Sequence, residues 1–434
     1  MRFRTQIFVC VSLCVCVGTP LMLAPLGAQY NPPGDLLAGD LLQDEKALRA
    51  SLDDARWRWG ALRLEPWIGL SDVSFVTGAQ GTGETADDLT ATLGAGVRGY
   101  LKTGPNVIWA AHALPEYVWW QDEDDKARLN GRYGVGLFAF TNRLDLEASA
   151  RRHERQGYFS SELQSLTTTR SDSARLALEL ALTRRLYLAA SGEREQAENR
   201  EAGDAVFSLL DRKTATARAL VGYRSPRGWW IGAGLEESTV DFDDDARDLS
   251  NEGQAGLLDA GYEGPRFTLR LRLERRSLEP RGDSDFVPVD LSTGLVETQW
   301  DLHRSVRGFL YGRRQLAYSI RPETSNFVSG RYGARLDISL RGRGPALEVA
   351  VEAGEDDYEP AAAQALARVD DVTAFGVGLR FELRRALKMR LGLTQTDYDS
   401  NVDAFDRDVT AWSAVVEVSA LRERFRLGDG EKIW

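Results

Sequence analysis

The sequence predicts an all-β protein: a transmembrane, antiparallel, up-and-down β-barrel of about eighteen strands with a short N-terminal helix. Three observations predict this fold. Apolar and polar residues alternate over long stretches, which is typical of strands with one apolar face. Short turns recur about every 40 residues and alternate with longer polar loops. After the N-terminal segment, no run reaches the roughly 18 apolar residues that a membrane-spanning helix needs.

Residues 1–28 have the features of a secretory signal peptide. The basic segment MRFR precedes the apolar run IFVCVSLCVCVG, and a small residue, Ala28, stands at the expected cleavage point. An uncleaved anchor helix is the alternative, although the run is short for a membrane span. All three cysteines (Cys10, Cys14 and Cys16) lie in this segment, so the remaining chain cannot form disulfide bonds.

Residues 29–60 differ from the rest of the chain. A linker, Asn31–Gly34, precedes apolar residues at helical spacing, and these predict one amphipathic helix on the periplasmic side. The apolar positions are Leu37, Leu41, Leu48, Leu52 and Ala55. The helix could plug the barrel, seal its periplasmic mouth or dock a partner; a frayed tail without any of these roles is the alternative.

Residues 61–421 are assigned to the barrel and residues 422–434 to a C-terminal tail. Phe267, Leu269, Leu271 and Leu273, for example, alternate with Thr268, Arg270, Arg272 and Glu274. Eight short turns are expected near Pro105, Asn142, Arg184, Pro226, Pro265, Arg304, Arg343 and Ala386. Together with nine longer loops they predict eighteen strands, with sixteen as the fallback. The strands are too long for propeller blades, which contain four short strands each.

The two ends of the predicted barrel differ in charge. The long loops are acidic and the short turns are basic. Aromatic residues gather near the strand ends, including Trp109, Trp119, Trp120, Tyr100 and Trp229, which favours interfacial girdles. Outer-membrane lipid and lipopolysaccharide are therefore expected partners, as is the barrel-assembly machinery. Simple solubility explains the acidic loops equally well.

The interior of the barrel is the expected functional region, because a barrel of this size leaves an aqueous channel. The alternation places a set of charged side chains on the lumen face as the predicted transport path: Arg98, Arg132, Arg143, Arg175, Arg270, Arg272, Arg335, Arg380, Lys388, Arg390, Glu147, Glu179 and Glu382. Arginine predominates, and guanidinium groups bind carboxylates and phosphates well. The alternative is that these charges pair across the wall and only maintain its shape.

Catalytic, cofactor and metal sites are not expected. Asp145, Ser149 and His153 share one strand face, but their spacing is too wide for a hydrogen-bonded triad. Three histidines and the absence of cysteine from the barrel argue against a metal centre. A formal net charge of −11 argues against nucleic-acid binding.

The first strand carries a family resemblance. LRLEPWIGLSDVSFV (residues 62–76), the stretch DDLTATLGAGVRGYL and a third strand ending in YVWW resemble the β-barrel porin 2 family of outer-membrane barrels. Pro66 and Asp72 match the opening motif, whereas Ser74 replaces its usual Asn. The resemblance implies an exopolysaccharide export conduit in the outer membrane of a Gram-negative bacterium, working with a periplasmic polysaccharide-export protein.

Two functions remain open from the sequence. The first is export of an acidic or mixed polysaccharide. The second is a general diffusion porin, or a plugged barrel whose loops act at the cell surface. An inward-folded loop would favour the porin, and the longest loops, Arg155–Arg170 and Gly354–Asp371, are not expected to constrict the channel clearly.

Overall fold

The computed structural model describes most of the chain beyond residue 44. The described residues are 45–55, 57–76, 88–121, 128–158, 166–200, 208–243, 248–320, 324–340, 345–360, 367–384, 387–402 and 407–418. The predicted signal peptide, the linker and the C-terminal tail therefore lie outside the described residues, as do Leu37 and Leu41 of the predicted helix.

One helix and nineteen strands make up this part of the chain. Their bounds are α1 (Glu45–Asp54), β1 (Trp57–Trp59), β2 (Leu62–Val76), β3 (Asp88–Lys102), β4 (Val107–Trp120), β5 (Arg128–Phe140), β6 (Leu144–Tyr158), β7 (Leu166–Ala181), β8 (Leu186–Asn199), β9 (Arg212–Arg224), β10 (Trp229–Phe242), β11 (Asn251–Glu263), β12 (Phe267–Pro280), β13 (Val289–His303), β14 (Val306–Tyr318), β15 (Thr324–Ser339), β16 (Ala346–Pro360), β17 (Arg368–Arg384), β18 (Leu387–Ser400) and β19 (Arg407–Val418).

The strands from β2 onward pair antiparallel with their neighbours in sequence. β19 also pairs with β2, from Ala414↔Val73 to Val418↔Ile68, so the pairing returns to its starting strand. This ladder is the shortest between two barrel strands and contains a register shift. The eighteen-strand prediction is confirmed and the sixteen-strand fallback is wrong. The short connections fall where the turns were predicted, for example between Phe140 and Leu144.

β1 occupies the part of the β2 edge that β19 leaves unpaired. It runs beside the start of β2, with Trp57 opposite Leu64 and Trp59 opposite Leu62. Gly60 makes the intervening turn with a positive φ of 58°, a conformation that glycine adopts without strain. A short strand that precedes the barrel in sequence therefore covers the start of the β2 edge beside the seam.

The outward face of the wall forms an apolar belt of regular height. On β6, Leu144, Leu146, Ala148 and Ala150 face outward before Arg152, and β12 repeats this order up to Arg275. Counted from the short-turn end, the fifth outward position is polar on eight strands: Arg152, Arg194, Glu237, Gln254, Arg275, Arg314, Glu355 and Gln395. Eight residues of a strand tilted by about 40° rise roughly 21 Å, close to the belt of outer-membrane barrels.

β3–β5 depart from this regular boundary. Here the apolar outward face continues to Leu93, Tyr117 and Leu129, which are all exposed. Tyr100 and Trp120, by contrast, are buried on the lumen side, so their assignment to an aromatic girdle is wrong. Trp109, Trp119 and Trp229 face outward as a girdle requires. Strict alternation explains the difference, because Trp119 and Trp120 are adjacent and must point to opposite faces.

Candidate functional site

The inner face of the barrel wall is strongly charged. On β12, Leu269, Leu271 and Leu273 lie on the outward face, which places Arg270 and Arg272 on the lumen face. The same alternation puts Arg98, Arg132, Arg175, Arg335, Arg380, Arg390, Glu147 and Glu179 on the inner face. Lys388 lies opposite Glu382 in the β17–β18 ladder. The sequence pattern therefore identifies one wall of a channel.

Arg143 is the exception among the predicted lumen residues. It lies in the exposed turn between β5 and β6, where its backbone N–H is donated to the Thr141 hydroxyl oxygen over 3.3 Å. The assignment was wrong because the turn ends one residue later than the alternation suggests. Arg143 belongs to the basic rim of short turns and not to the wall.

The lumen charges are joined in ion pairs at several levels. Near the short-turn end, Glu348 accepts hydrogen bonds from Arg380 at 3.0 Å and from Arg390 at 2.8 Å. Arg132 on β5 contacts Glu116 on β4 at 2.8 Å, farther round the wall. Each of these charges thus has a partner one or two strands away, which offsets the cost of removing it from bulk water.

A larger network joins side chains of four strands, β9, β10, β12 and β13, on another part of the wall. Glu236 on β10 accepts hydrogen bonds from Arg218 and Arg276, and Arg276 also contacts Glu274 at 3.0 Å. The Thr293 hydroxyl donates to the Glu274 carboxylate over 3.2 Å. Glu236 is only 5% exposed, and the two arginines supply the hydrogen bonds that water cannot supply to its carboxylate there. This network fixes the relative positions of β9 to β13.

The outer end of β14–β17 carries a third group of charges. Arg331 contacts Asp356 at 2.8 Å, and both side chains are buried. The Tyr311 hydroxyl donates to Glu352 over 2.8 Å. Arg368 binds Asp370 and lies 4.2 Å from the centre of the Tyr358 ring. Arginines therefore recur along this side of the lumen from one end to the other.

Sequence reasoning missed several lumen carboxylates. Glu116, Glu236 and Asp356 all face inward. Glu116 follows Pro115, which interrupts the alternating pattern. Glu236 and Asp356 each stand beside an acid that faces outward, so adjacent acids obscured which of them faces the lumen. Counting in steps of two residues from a side chain already assigned to the lumen face would have placed them on that face.

Membrane barrels have short turns on the periplasmic side and longer loops outside, so the long-loop end of this barrel is taken as its outer mouth. Loops at this outer mouth fold onto the lumen face of β10–β15. Phe286, from the β12–β13 loop, is buried against Leu278, Val289 and Leu291. Leu249, from the β10–β11 loop, is buried with Val240 and Phe242. These partners share the inward face with Glu236, Ser238 and Arg276. Two loops of moderate length, neither of them among the two longest loops considered from the sequence, thus cover part of the opening.

Hydrogen bonds hold these two loops together. The Asp285 N–H donates to the Asp248 carbonyl oxygen over 2.7 Å, and the Arg281 N–H donates to the Ser250 carbonyl oxygen over 3.0 Å. The Ser284 hydroxyl reaches the same carbonyl at 2.6 Å. The loops therefore form one packed unit at the outer mouth.

The inner mouth is narrowed from the other side of the barrel. Leu48, Leu52 and Ala55 of the α1 region are buried in one cluster with Tyr100, Ile108, Ala110, Phe138 and Phe140. These wall residues alternate with outward-facing Trp109, Val135 and Leu137, so the helix lies inside the barrel. Of the predicted roles for an N-terminal helix, this position fits a seal at the periplasmic mouth.

Ser149, one of the residues considered for catalysis, contacts a lumen carboxylate. The Ser149 hydroxyl donates to the Glu147 carboxylate over 3.0 Å, and Arg151 contacts the same carboxylate at 3.3 Å. Within the described chain, no group of three or more His, Cys, Asp or Glu side chains is placed to hold a metal ion. Among the described helices, none is both long and apolar enough to cross a membrane.

The fold and the site together define a class of protein. A ring of eighteen antiparallel strands combines an outward apolar belt, a charged lumen, short turns at one end and longer loops at the other. This is the architecture of an outer-membrane β-barrel, because lipid demands a wall whose backbone groups are all paired. The protein belongs in the outer membrane of a Gram-negative cell.

No family model and no curated protein matches the chain. Similar solved structures include Pseudomonas aeruginosa OpdK with vanillate, at 12% identity, 83% of this chain, 98% of that chain and a TM-score of 0.48. Acinetobacter baumannii OccAB3 shares 12% identity over 82% of this chain and 97% of its own, with a TM-score of 0.45. A bacterial polysaccharide outer membrane secretin shares 15% over 83% and 98%, with a TM-score of 0.35. Such distant similarity carries no functional conclusion.

Proposed function

We propose that the protein is a diffusion pore of the outer membrane that prefers small anionic solutes. The observation that carries this proposal is the narrowing of a charged lumen at its outer mouth by the loops around Leu249 and Phe286. An inward-folded loop limits the size of what passes, which suits small solutes better than a polymer.

The preference for anions rests on the arginines of β12–β18. Arg270 and Arg272 lie on the lumen face, and Arg380 and Arg390 share the single carboxylate of Glu348. A solute within a Debye length of this wall, about 8 Å at physiological salt, experiences its field. Guanidinium groups bind carboxylates and phosphates well, and several such groups along the wall offer a series of contacts instead of one tight site, because conduction requires release as well as entry.

Polysaccharide export is the second candidate. The arginines that recur from Arg390 near the inner mouth to Arg331 and Arg368 near the outer mouth offer a series of exchangeable contacts for an acidic polymer. The resemblance to the β-barrel porin 2 family supports the same function and implies a periplasmic polysaccharide-export partner. A polymer would require α1 and the outer loops to move aside, and the diffusion pore does not.

Planar-bilayer recordings test the proposed pore. We expect weak anion selectivity in a low-salt gradient, which fades as salt rises. Arg270→Ser with Arg272→Ser should reduce it, whereas Arg275→Ser on the outward face of the same strand should leave it unchanged. Arg380 and Arg390 are poorer choices, because their loss would leave Glu348 buried without its partners.

Two results would count against the proposal. Cation selectivity in the unmodified protein would contradict an arginine-guided path. Equal effects of the lumen pair and of Arg275→Ser would show that the wall charges do not act on the solute. A third result would favour the export function: passage of an acidic polymer as well as of small acids through the same unmodified protein.

A further inference from the structure

One part of the outward wall carries a projecting leucine beside a recess. Leu235 on β10 is 71% exposed, the largest exposed fraction among the large apolar side chains of the described wall. On β8, two strands away, Gly192 has open space where a side chain would stand, because no atom beyond its chain neighbours lies within 4 Å of an ideal Cβ there. Both residues occupy the fourth outward position from the short-turn end. The projection and the recess therefore lie at the same level of the apolar belt.

Small side chains widen the recess around Gly192. Ala190 lies two residues before it on the same face of β8, and Ala217 stands opposite it on β9. The depression formed here has a volume of about 680 Å³ and is bordered by Leu176 on β7. Because lipid tails are as apolar as leucine, proteins associate within a membrane through close packing and polar contacts. A recess of this kind therefore favours a partner with a projecting side chain that fits it.

Two opposite charges stand one position higher on the same two strands. Arg194 on β8 and Glu237 on β10 are the fifth outward residues, at the polar boundary of the belt, and both are exposed. Ala215 on β9 stands between them at this level. Within the part of the chain that the structure describes, neither side chain forms an ion pair or a hydrogen bond. The two charges thus flank β9 in the same way as the recess and Leu235 do.

We propose that this surface binds a second copy of the chain in a symmetric dimer, whose two-fold axis is parallel to the membrane normal and passes through β9 near Ala217. Such an axis places a residue on one side of β9 opposite the residue on the other side of β9 in the second copy. Leu235 of each copy then enters the recess at Gly192 of the other, and Arg194 of each pairs with Glu237 of the other. A second copy is the occupant because both halves of each contact lie on this one surface, at equal distances from the same strand.

The shape of the wall limits the contact to the outer half of the belt. On β9, Ala215, Ala217 and Ala219 permit close approach of the two copies, whereas Val221 and Tyr223 nearer the short turns are larger. Farther round the ring, the curvature of the barrel separates the two walls. The dimer therefore depends on a few side chains of β8 and β10. The interface lies outside the lumen, so it does not depend on which solute crosses the pore.

Substitutions on the outward face test this interface without changing the lumen. Gly192→Leu fills the recess, and the open space there accepts the side chain within a single chain. Gly308→Leu adds the same side chain to the outward face of β14, where a Cβ meets only ordinary contacts of 3.4 Å or more, and serves as the control. Arg194→Glu and Glu237→Arg are made singly and together. Heat-dependent migration in electrophoresis verifies that each barrel is folded.

Native mass spectrometry of the full chain released from lipid nanodiscs measures the dimer. We expect dimers of the unmodified protein and of Gly308→Leu, and a loss of about tenfold in dimer affinity for Gly192→Leu and for each single charge reversal. The double reversal should restore the dimer, because it recreates both ion pairs with their signs exchanged. An unmodified protein that stays monomeric with lipid in the recess, or a dimer that Gly192→Leu leaves unchanged, would overturn the proposal. Failure of the double reversal to restore a dimer that both single reversals weaken would overturn the two-fold arrangement.

Discussion

Removing the Phe286 side chain tests the constriction at the outer mouth. The ring is 3% exposed and packs against Leu278, Val289 and Leu291, with Tyr318 6.4 Å away. Phe→Ala substitutions in packed cores cost about 3–5 kcal/mol. A loop relaxes more readily than a core, so we take the lower figure, about 3 kcal/mol, as the loss of loop docking. Since about 1.4 kcal/mol is a factor of ten, the undocked fraction should rise roughly 100-fold.

Trypsin cleavage after Arg281 reports this undocking. Arg281 lies in the same loop, its N–H bonds to the Ser250 carbonyl oxygen and its guanidinium pairs with Asp241, so cleavage requires local opening. When opening is fast, the cleavage rate follows the open population. We expect a large acceleration in Phe286→Ala and a matching increase in pore conductance, with Asp283→Ala, an exposed residue of the same loop, as the control. Cleavage at the unmodified rate would show that Phe286 does not hold the loop over the lumen.

Two further predictions concern the exposed ends of the barrel. Asp211 precedes β9, and burial raises its pKa from 3.8 to about 6, with Glu198 and Asp243 adding to the effect. Its contribution to stability is therefore complete below pH 3.8 and lost as the pH rises through about 6; because the carboxyl is partly exposed, the loss should be on the order of 1 kcal/mol. Exchange of the Asn199 N–H, which donates to Asp211 over 2.6 Å, should show this pH dependence, and Asp211→Asn should abolish it; an identical pH profile in both proteins would contradict the assignment. Proteolysis of intact cells should cut within Gln121–Lys126 or Asp241–Ser250 and spare Ser225–Gly228 and Arg341–Gly344; the reverse pattern would invert the proposed orientation.

The sequence predicted the wall in detail because a membrane barrel is governed by a local rule. Because lipid lies on one side of the wall and a charged lumen on the other, apolar and polar residues must alternate along each strand. A register slip of one residue would move every side chain of that strand to the wrong face. The faces of Arg270 and Arg272, the positions of the short turns and the number of strands all follow from this rule. Arg143 was misplaced because the rule ends at the turn, where no alternation constrains a side chain.

Three features depended on tertiary structure. The sharing of Glu348 by Arg380 and Arg390 depends on the register between three strands, and the alternation of a single strand does not show which side chains of its neighbours it will meet. The burial of Phe286 and Leu249 over the lumen depends on how two loops pack together. The sequences of these loops are as polar as those of the other long loops, so composition does not distinguish them. The helical spacing of Leu48 and Leu52 predicted an amphipathic helix, but an apolar stripe does not specify its partner surface. Only the pairing of β1 with β2, and of β2 to β5 with one another, brings β1 and the apolar lumen residues of β3–β5 together around α1, because these contacts join residues that are far apart in sequence.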